Sequence, residues 1–168
     1  DVYKRQVIIH MYKSFGIEET IKQLDGVFSF ILYDKEKDEV FVGRDSIGIR
    51  PLYYGFITNE YIFASEIKAL DICDTVYTFP PGHWWSNKTN KFTQYYNYNY
   101  TLSKEMDENI HINNIRKLYT IAVNKRMMSD VKICCLLSGG LDSVITTYLA
   151  SKHYKPKQLD TYTIGMPG

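Results

Sequence analysis

The chain reads as two folds in series, an α+β half with an antiparallel sheet over residues 7–98 and an α/β half with a parallel sheet over residues 104–168. Three features predict this. From Val27 onward, short runs rich in Tyr, Phe and Val alternate with Gly, Pro and Asn turns, the pattern of half-buried antiparallel strands. Between residues 96 and 109, YNYNYTLSKEMDEN is polar and aromatic without a period, and this marks the boundary. Beyond it, strand, helix and strand follow one another within ~35 residues, a βαβ unit whose strands must run parallel.

The opening DVYKRQ is charged, lacks a period and abuts the apolar VIIHMY with no turn between them. Residues 1–6 are therefore expected to lie outside the fold, as an artefactual leader left by sequence assembly. VIIHMYKSFG has helical spacing and stops at Gly16, and IEETIKQLDG is a second short helix closed by Asp25 and Gly26. VFSFILYD, the polar turn KEKD and EVFVGRD form a hairpin. Next come SIGIRPLYYGFI, a turn at Thr58, Asn59 and Glu60, YIFAS, a short helical EIKAL, and the strands of TVYTFPPGHWWSN and KFTQYYNYN. Arg44, Asp45, Gly48 and Pro51 are read as architecture, closing a strand and shaping the turn after it. Pro80, Pro81 and Gly82 make another turn. Trp84, Trp85 and the aromatic residues of 95–100 could stack nucleic-acid bases, but a nearly neutral chain favours packing between domains.

In the second half, Ser103 is a candidate N-cap for a helix that runs from Ile110 to about Met127, with Ile112, Ile115, Leu118, Tyr119, Ala122 and Val123 on one face. VKICCLL is a continuous apolar run of the kind buried on both faces. SGG breaks it. The next helix extends from Asp142 to about Lys152, carrying Val144, Ile145, Tyr148 and Leu149 on one side, and LDTYTIGM supplies another strand.

Composition narrows the function. With 20 basic and 19 acidic residues spread along the chain, the net charge of +1 leaves no footprint for nucleic acid or an anionic membrane. A small-molecule partner is expected. No apolar run approaches the ~18 residues needed to span a bilayer, so a soluble, cytoplasmic protein is expected. Cys73, Cys134 and Cys135 lack metal or redox spacing, and Cys134 and Cys135 are read as small buried side chains of a strand. The four histidines show no ligand spacing either.

LLSGGLDS, residues 136–143, carries the chemistry. A turn with a helix cap and a cradle for phosphate oxygens compete to explain it. A strand that ends in Gly139 and Gly140 and feeds straight into a helix exposes backbone N–H groups where the peptide dipoles favour an anion. Glycine has no Cβ to hold a polyphosphate away, and Ser138 and Ser143 can each donate a hydroxyl proton. A carboxylate at Asp142 fits if the anion arrives with Mg²⁺, or if it caps the loop. The strand-then-helix setting favours the phosphate cradle, and the loop lacks the lysine of a Walker motif.

SGGLDS resembles the pyrophosphate loop of the N-type ATP pyrophosphatases, which activate a carboxylate or carbonyl as an adenylate. LDGVFSFILYDKEKDEVFVGRDSIGIRPLYYG and ASEIKAL resemble the second half of a class II glutamine amidotransferase domain. Taken in order with FPPGHWW and MSDVKICCLLSGGLDS, these blocks are similar to the glutamine-hydrolysing asparagine synthetase family from Val7 to Gly168. The resemblance implies an Ntn-hydrolase-like glutaminase half and an adenine-nucleotide α-hydrolase-like synthetase half. It further implies that Leu137 and Ile164 flank adenine and ribose, that Ser138, Gly139, Gly140, Asp142 and Ser143 surround the phosphates of ATP, and that Asp142 helps to hold Mg²⁺. The implied partners are ATP, aspartate, and glutamine or ammonia, with a homodimer as an allowed assembly and no nucleic acid or membrane. The family's N-terminal cysteine nucleophile and glutamine contacts have no counterpart here, since residue 1 is Asp and the three cysteines are internal, so no catalytic residue is assigned. The family's synthetase domain continues beyond TIGMPG, so the stretch alone is expected to bind ATP weakly and to turn nothing over. Two alternatives stay open: a related amidotransferase or β-lactam-synthetase-like adenylating enzyme, and a non-catalytic nucleotide-binding module.

Overall fold

The computed structural model describes residues 2–98, 104, 107–154 and 158–165, with side chains from residue 6 onward. The fold is mixed α/β and divides into two compact units, Asp1–Tyr100 and Thr101–Gly168.

The first unit opens with α1 (Val2–Gln23), which leaves helical geometry at Gly16 (φ 75°) and is therefore two helical segments joined at a bend. The leader expected outside the fold is helical from Val2, because nothing between it and Gly16 interrupts the helix. Seven strands follow: β1 (Ser29–Asp34), β2 (Glu39–Arg44), β3 (Tyr53–Ile57), β4 (Glu60–Ala64), β5 (Val76–Thr78), β6 (His83–Ser86) and β7 (Lys91–Gln94). They form two antiparallel sheets, ordered β1-β2-β6-β7 and β4-β3-β5. The β3–β4 hairpin turns through Thr58 (φ 51°) and Asn59 (φ 69°), the two positive φ values that match the twist of the paired strands. EIKAL gives a 3-10 turn, Ile67–Leu70, that buries Leu70 completely.

Adjacent residues of a strand face opposite ways, and this divides the core in two. Phe41 and Trp84 point to one face of the larger sheet, where Tyr12, Ile17 and Ile21 of α1 cover them. Val42 and Trp85 point to the other face, against Leu52 and Phe79, with Tyr54, Tyr61 and Phe63 of the smaller sheet packed alongside. The tryptophans expected between domains are thus core residues of the first unit, 7% and 5% exposed, because neighbouring strand positions must serve opposite faces. Gly43 makes the first face possible, since a Cβ there would come within 2.8 Å of Ile21 Cδ1. The Tyr12 hydroxyl donates to Asp34 at 2.6 Å and fastens α1 to the β1–β2 hairpin.

Arg44 and Asp45 are buried at the end of β2, 7% and 1% exposed. The guanidinium donates to the carbonyls of Arg50, Phe79 and Gly48, and the Arg44 carbonyl accepts from the Tyr95 hydroxyl. The Asp45 carboxylate accepts from the backbone N–H groups of Ile47, Gly48, Ile49 and Arg50 at 2.7–3.2 Å. Burial pushes this carboxyl up, but the Arg50, Ile49 and Gly48 donors outweigh it and hold the group below the ordinary carboxylate range.

In the second unit, α2 (Glu108–Arg126) is capped by Asp107, whose carboxylate accepts from Asn109 N–H at 2.8 Å, while Ser103, the expected cap, and Tyr100 of the aromatic cluster lie outside the described residues. Strand β8 (Cys134–Leu136), helix α3 (Leu141–His153) and β9 (Asp160–Tyr162) make a βαβ unit with parallel strands. A Lys132–Asp160 ion pair of 2.6 Å sets the start of the ladder. VKICCLL was expected to be covered on both faces, yet Cys134 is exposed, Cys135 is half-buried and Leu136 is 80% exposed. Alternate residues find cover because, among the described residues, β8 belongs to a two-stranded sheet. The same shortage of partners leaves Ile115 and Leu118 of α2 more than 60% exposed, with Val123 the buried residue of that helix.

Candidate functional site

The loop between β8 and α3 sits at the C-terminal edge of the parallel pair, the edge at which α/β sheets bind their ligands. Its residues are open to solvent: Ser138, Gly139, Gly140 and Asp142 are exposed and Ser143 is half-buried. Gly139 takes φ +83° with nothing within 4 Å of where its Cβ would stand. The glycine is therefore required by backbone conformation, since left-handed geometry disfavours any residue with a Cβ. For a ligand approaching from solvent the bare Cα is an added convenience.

Gly140 is the N-cap of α3 and offers no side-chain cap hydrogen bond. The first N–H groups of a helix have no intrahelical acceptor, so those of Leu141, Asp142 and Ser143 lie uncapped at the positive end of a 13-residue dipole. The two serines bond to the loop itself. Ser143 Oγ donates to the Gly140 carbonyl at 2.8 Å and lies 3.1 Å from Ser138 Oγ, which becomes the donor of that pair because the Ser143 proton is already used. An anion would take over both hydroxyl protons as the side chains rotate outward. Asp142 stands in the first turn of α3 as an exposed acid. Among the described residues no group of three or more His, Cys, Asp or Glu is placed to hold a metal ion, so a divalent cation would need oxygens from its ligand alongside Asp142.

The parallel register sets Leu137 against Tyr162 and Thr163, one residue short of Ile164. Register pairs Leu136 with Tyr162, and Leu137 N–H then donates to the Tyr162 carbonyl at 2.9 Å. Ile164 lies two residues beyond Tyr162 and is 99% exposed. Three supporting residues escaped sequence reasoning. Thr163 Oγ1 donates to the Leu137 carbonyl at 2.6 Å, Thr146 Oγ1 donates to the Asp142 carbonyl at 2.7 Å, and the Tyr119 hydroxyl of α2 pairs with Thr146 Oγ1 at 2.7 Å. Only Thr146 left a signal, a threonine at i+4 from the loop's acid.

No helix among the described residues is long and apolar enough to cross a membrane.

Residues 4–120 match the family described as a glutamine amidotransferase domain, and residues 114–168 match the one described as asparagine synthase. Among curated proteins, the chain is similar to the glutamine-hydrolyzing asparagine synthetase of Zea mays, at 39% identity over 97% of this chain and 29% of that protein. Glutamine-hydrolyzing asparagine synthetase 2 of Arabidopsis thaliana is 40% identical over 97% of this chain and 30% of its own length. The probable counterpart in Schizosaccharomyces pombe is 34% identical over 97% and 33%. The chain thus spans about a third of the length of these relatives. Among solved structures it is similar to the glutamine phosphoribosylpyrophosphate amidotransferase of B. subtilis, at 20% identity and a TM-score of 0.49, covering 94% of this chain and 38% of that one.

Proposed function

We propose, since this chain belongs to the glutamine amidotransferase domain family over residues 4–120, that it is the junction of a glutamine-hydrolysing asparagine synthetase, joining an Ntn-hydrolase-like glutaminase domain to the start of a nucleotide-binding synthetase domain. The first unit, about residues 7–98, contributes scaffold from the glutaminase domain and no catalytic residue. The second, about residues 104–168, contributes the nucleotide half-site. ATP lies across the C-terminal edge of β8 and β9, its base against Leu137 and Ile164 and its phosphates on Ser138, Gly139, Gly140 and Ser143. In the whole protein the aspartate β-carboxylate attacks the α-phosphorus and pyrophosphate departs. Ammonia, released from glutamine, then attacks the β-carbonyl carbon and AMP leaves. The loop's N–H groups and the end of the helix dipole hold the departing pyrophosphate, where negative charge accumulates. Mg²⁺, when bound with the nucleotide beside Asp142, screens the phosphates. The partners are accordingly small molecules, and the setting is the cytoplasm.

The observation that carries this reading is the uncapped, solvent-open turn at Gly139–Gly140 directly after a parallel strand, in a chain whose first two thirds belong to a glutaminase family. Isotope exchange between pyrophosphate and ATP, measured on the intact protein with and without aspartate, tests it. Exchange should need aspartate and should fall at least a hundred-fold, by order of magnitude, in Asp142→Asn. Exchange driven by a different carboxylate would assign the protein to another adenylating amidotransferase. Absence of exchange in the wild type, with Asp142→Asn indistinguishable from it, would leave a binding module.

A further inference from the structure

The β8–β9 ladder ends at Leu136 and Tyr162, with one further main-chain bond from Leu137 N–H to the Tyr162 carbonyl. In a regular parallel ladder the Leu137 carbonyl would next accept from the main-chain N–H of Ile164. Here the Thr163 hydroxyl takes that acceptor at 2.6 Å. A side chain has replaced the next rung. The substitution lets β9 stop while its last residues stay fastened to the strand that leads into the 138–143 loop. It also frees the Ile164 segment from the sheet, and Ile164 stands almost wholly in solvent. A ligand with an apolar ring and an anionic tail must touch both parts at once, so the distance between them decides how well the two halves of such a ligand bind together.

We propose that Thr163 is a positioning residue that, by holding the Leu137 carbonyl, fixes the spacing between the phosphate loop and the apolar platform of Leu137 and Ile164. This rests on the nucleotide reading of the loop. The role predicts a specific asymmetry. A polyphosphate without a base uses the loop alone and gains nothing from Thr163, whereas a nucleoside triphosphate gains from it.

Calorimetric titration of the full chain with ATP and with inorganic tripolyphosphate, for the wild type, Thr163→Val and Thr163→Ser, tests the proposal. Thr163→Val should weaken ATP about five-fold, the worth of one hydrogen bond, and leave tripolyphosphate unchanged, and Thr163→Ser, which keeps the hydroxyl, should restore ATP. Equal loss of both ligands in Thr163→Val, no loss of either, or loss accompanied by a lower unfolding midpoint would overturn the positioning role while leaving the loop reading in place. A wild type that binds neither ligand would overturn the loop reading and this proposal with it.

Discussion

Two turns in this chain are written in nearly the same residues and do opposite things. DSIG, 45–48, and SGGLDS, 138–143, each follow a strand and each combine Gly, Ser and Asp. In the first, the Asp45 carboxylate turns inward and gathers the N–H groups of Ile47, Gly48, Ile49 and Arg50. The turn contains its own anion. In the second, Asp142 lies exposed in the first turn of α3 and, among the described residues, no side chain caps the helix N–H groups. On the proposed function, that anion comes from outside. The lesson is that a cluster of backbone donors becomes a binding site when the chain supplies no acceptor for it.

Removing the internal anion should have the largest effect. Asp45→Ala removes the buried carboxylate that accepts from four backbone N–H groups, of which Gly48 alone keeps a second acceptor in the residue 45 carbonyl, and should cost about 3 kcal/mol, read from urea unfolding of the chain. The same contact gives a pH signature. The folded pKa of Asp45 is depressed below its unfolded value of about 3.9, so its contribution is full above that value and disappears as pH falls through the folded pKa. Acid unfolding of the wild type should therefore begin below about pH 4, and Asp45→Asn should shift less over that range. If Asp45→Ala unfolds at the wild-type urea midpoint, the contrast between the two turns is empty.

Gly139 gives the next test. Since nothing lies within 4 Å of its Cβ position, any penalty for a side chain there is backbone strain at φ +83°. Gly139→Val should cost about 1–2 kcal/mol and Gly139→Asn less, because asparagine tolerates left-handed geometry. Equal costs would mean that contacts, and not the torsion, fix this residue.

A smaller effect of opposite sign belongs to Thr20. Its hydroxyl is fully buried and has no partner among the described residues, because Gly16, whose carbonyl a helical threonine four residues later would use, has left the helix. Thr20→Val should raise stability by about 1 kcal/mol. In the first unit an unpaired polar group is a defect, whereas on the proposed function unpaired donors at the 138–143 loop are the working parts. A loss of stability in Thr20→Val would point to an acceptor for the hydroxyl that the helix break does not reveal.

The strand, glycine turn and helix around 138–143 were legible because each rests on a local rule: an apolar run, two residues that break it, and a 3.6-residue period after it. The β3–β4 turn was legible for the same reason, since Thr58 and Asn59 lie between two alternating runs. What the sequence withheld was pairing over long range. Nothing around Trp84 and Trp85 tells which face each will meet until β6 is set against β2. Thr163 and Leu137 are 26 residues apart, and only the parallel register makes them neighbours. The Asp45 turn lay between these cases. An Asp followed three residues later by Gly is a local signal for a carboxylate that accepts from the backbone, but its place in the fold depends on Phe28, whose carbonyl accepts from Asp45 N–H, and on Gly82, whose N–H donates to the Asp45 carbonyl.

The smallest effect on stability is expected at Asp142, where the comparison can be made sharpest. An acid in the first turn of α3 favours the helix dipole, so Asp142→Asn should cost less than about 1 kcal/mol, far less than the loss of Asp45. Its effect on ligands should depend on what accompanies them. A bare polyphosphate is repelled by the carboxylate, so without Mg²⁺ tripolyphosphate should bind the Asn variant more tightly than the wild type. With Mg²⁺ the carboxylate gains a cation to share with the phosphate oxygens, and the advantage of the variant should vanish or reverse. Titrations with and without Mg²⁺ read the sign directly. If tripolyphosphate favours the variant equally in both conditions, Asp142 has no part in holding the metal and serves the helix alone; if it never favours the variant, the donors at 141–143 are not the ones that meet the anion.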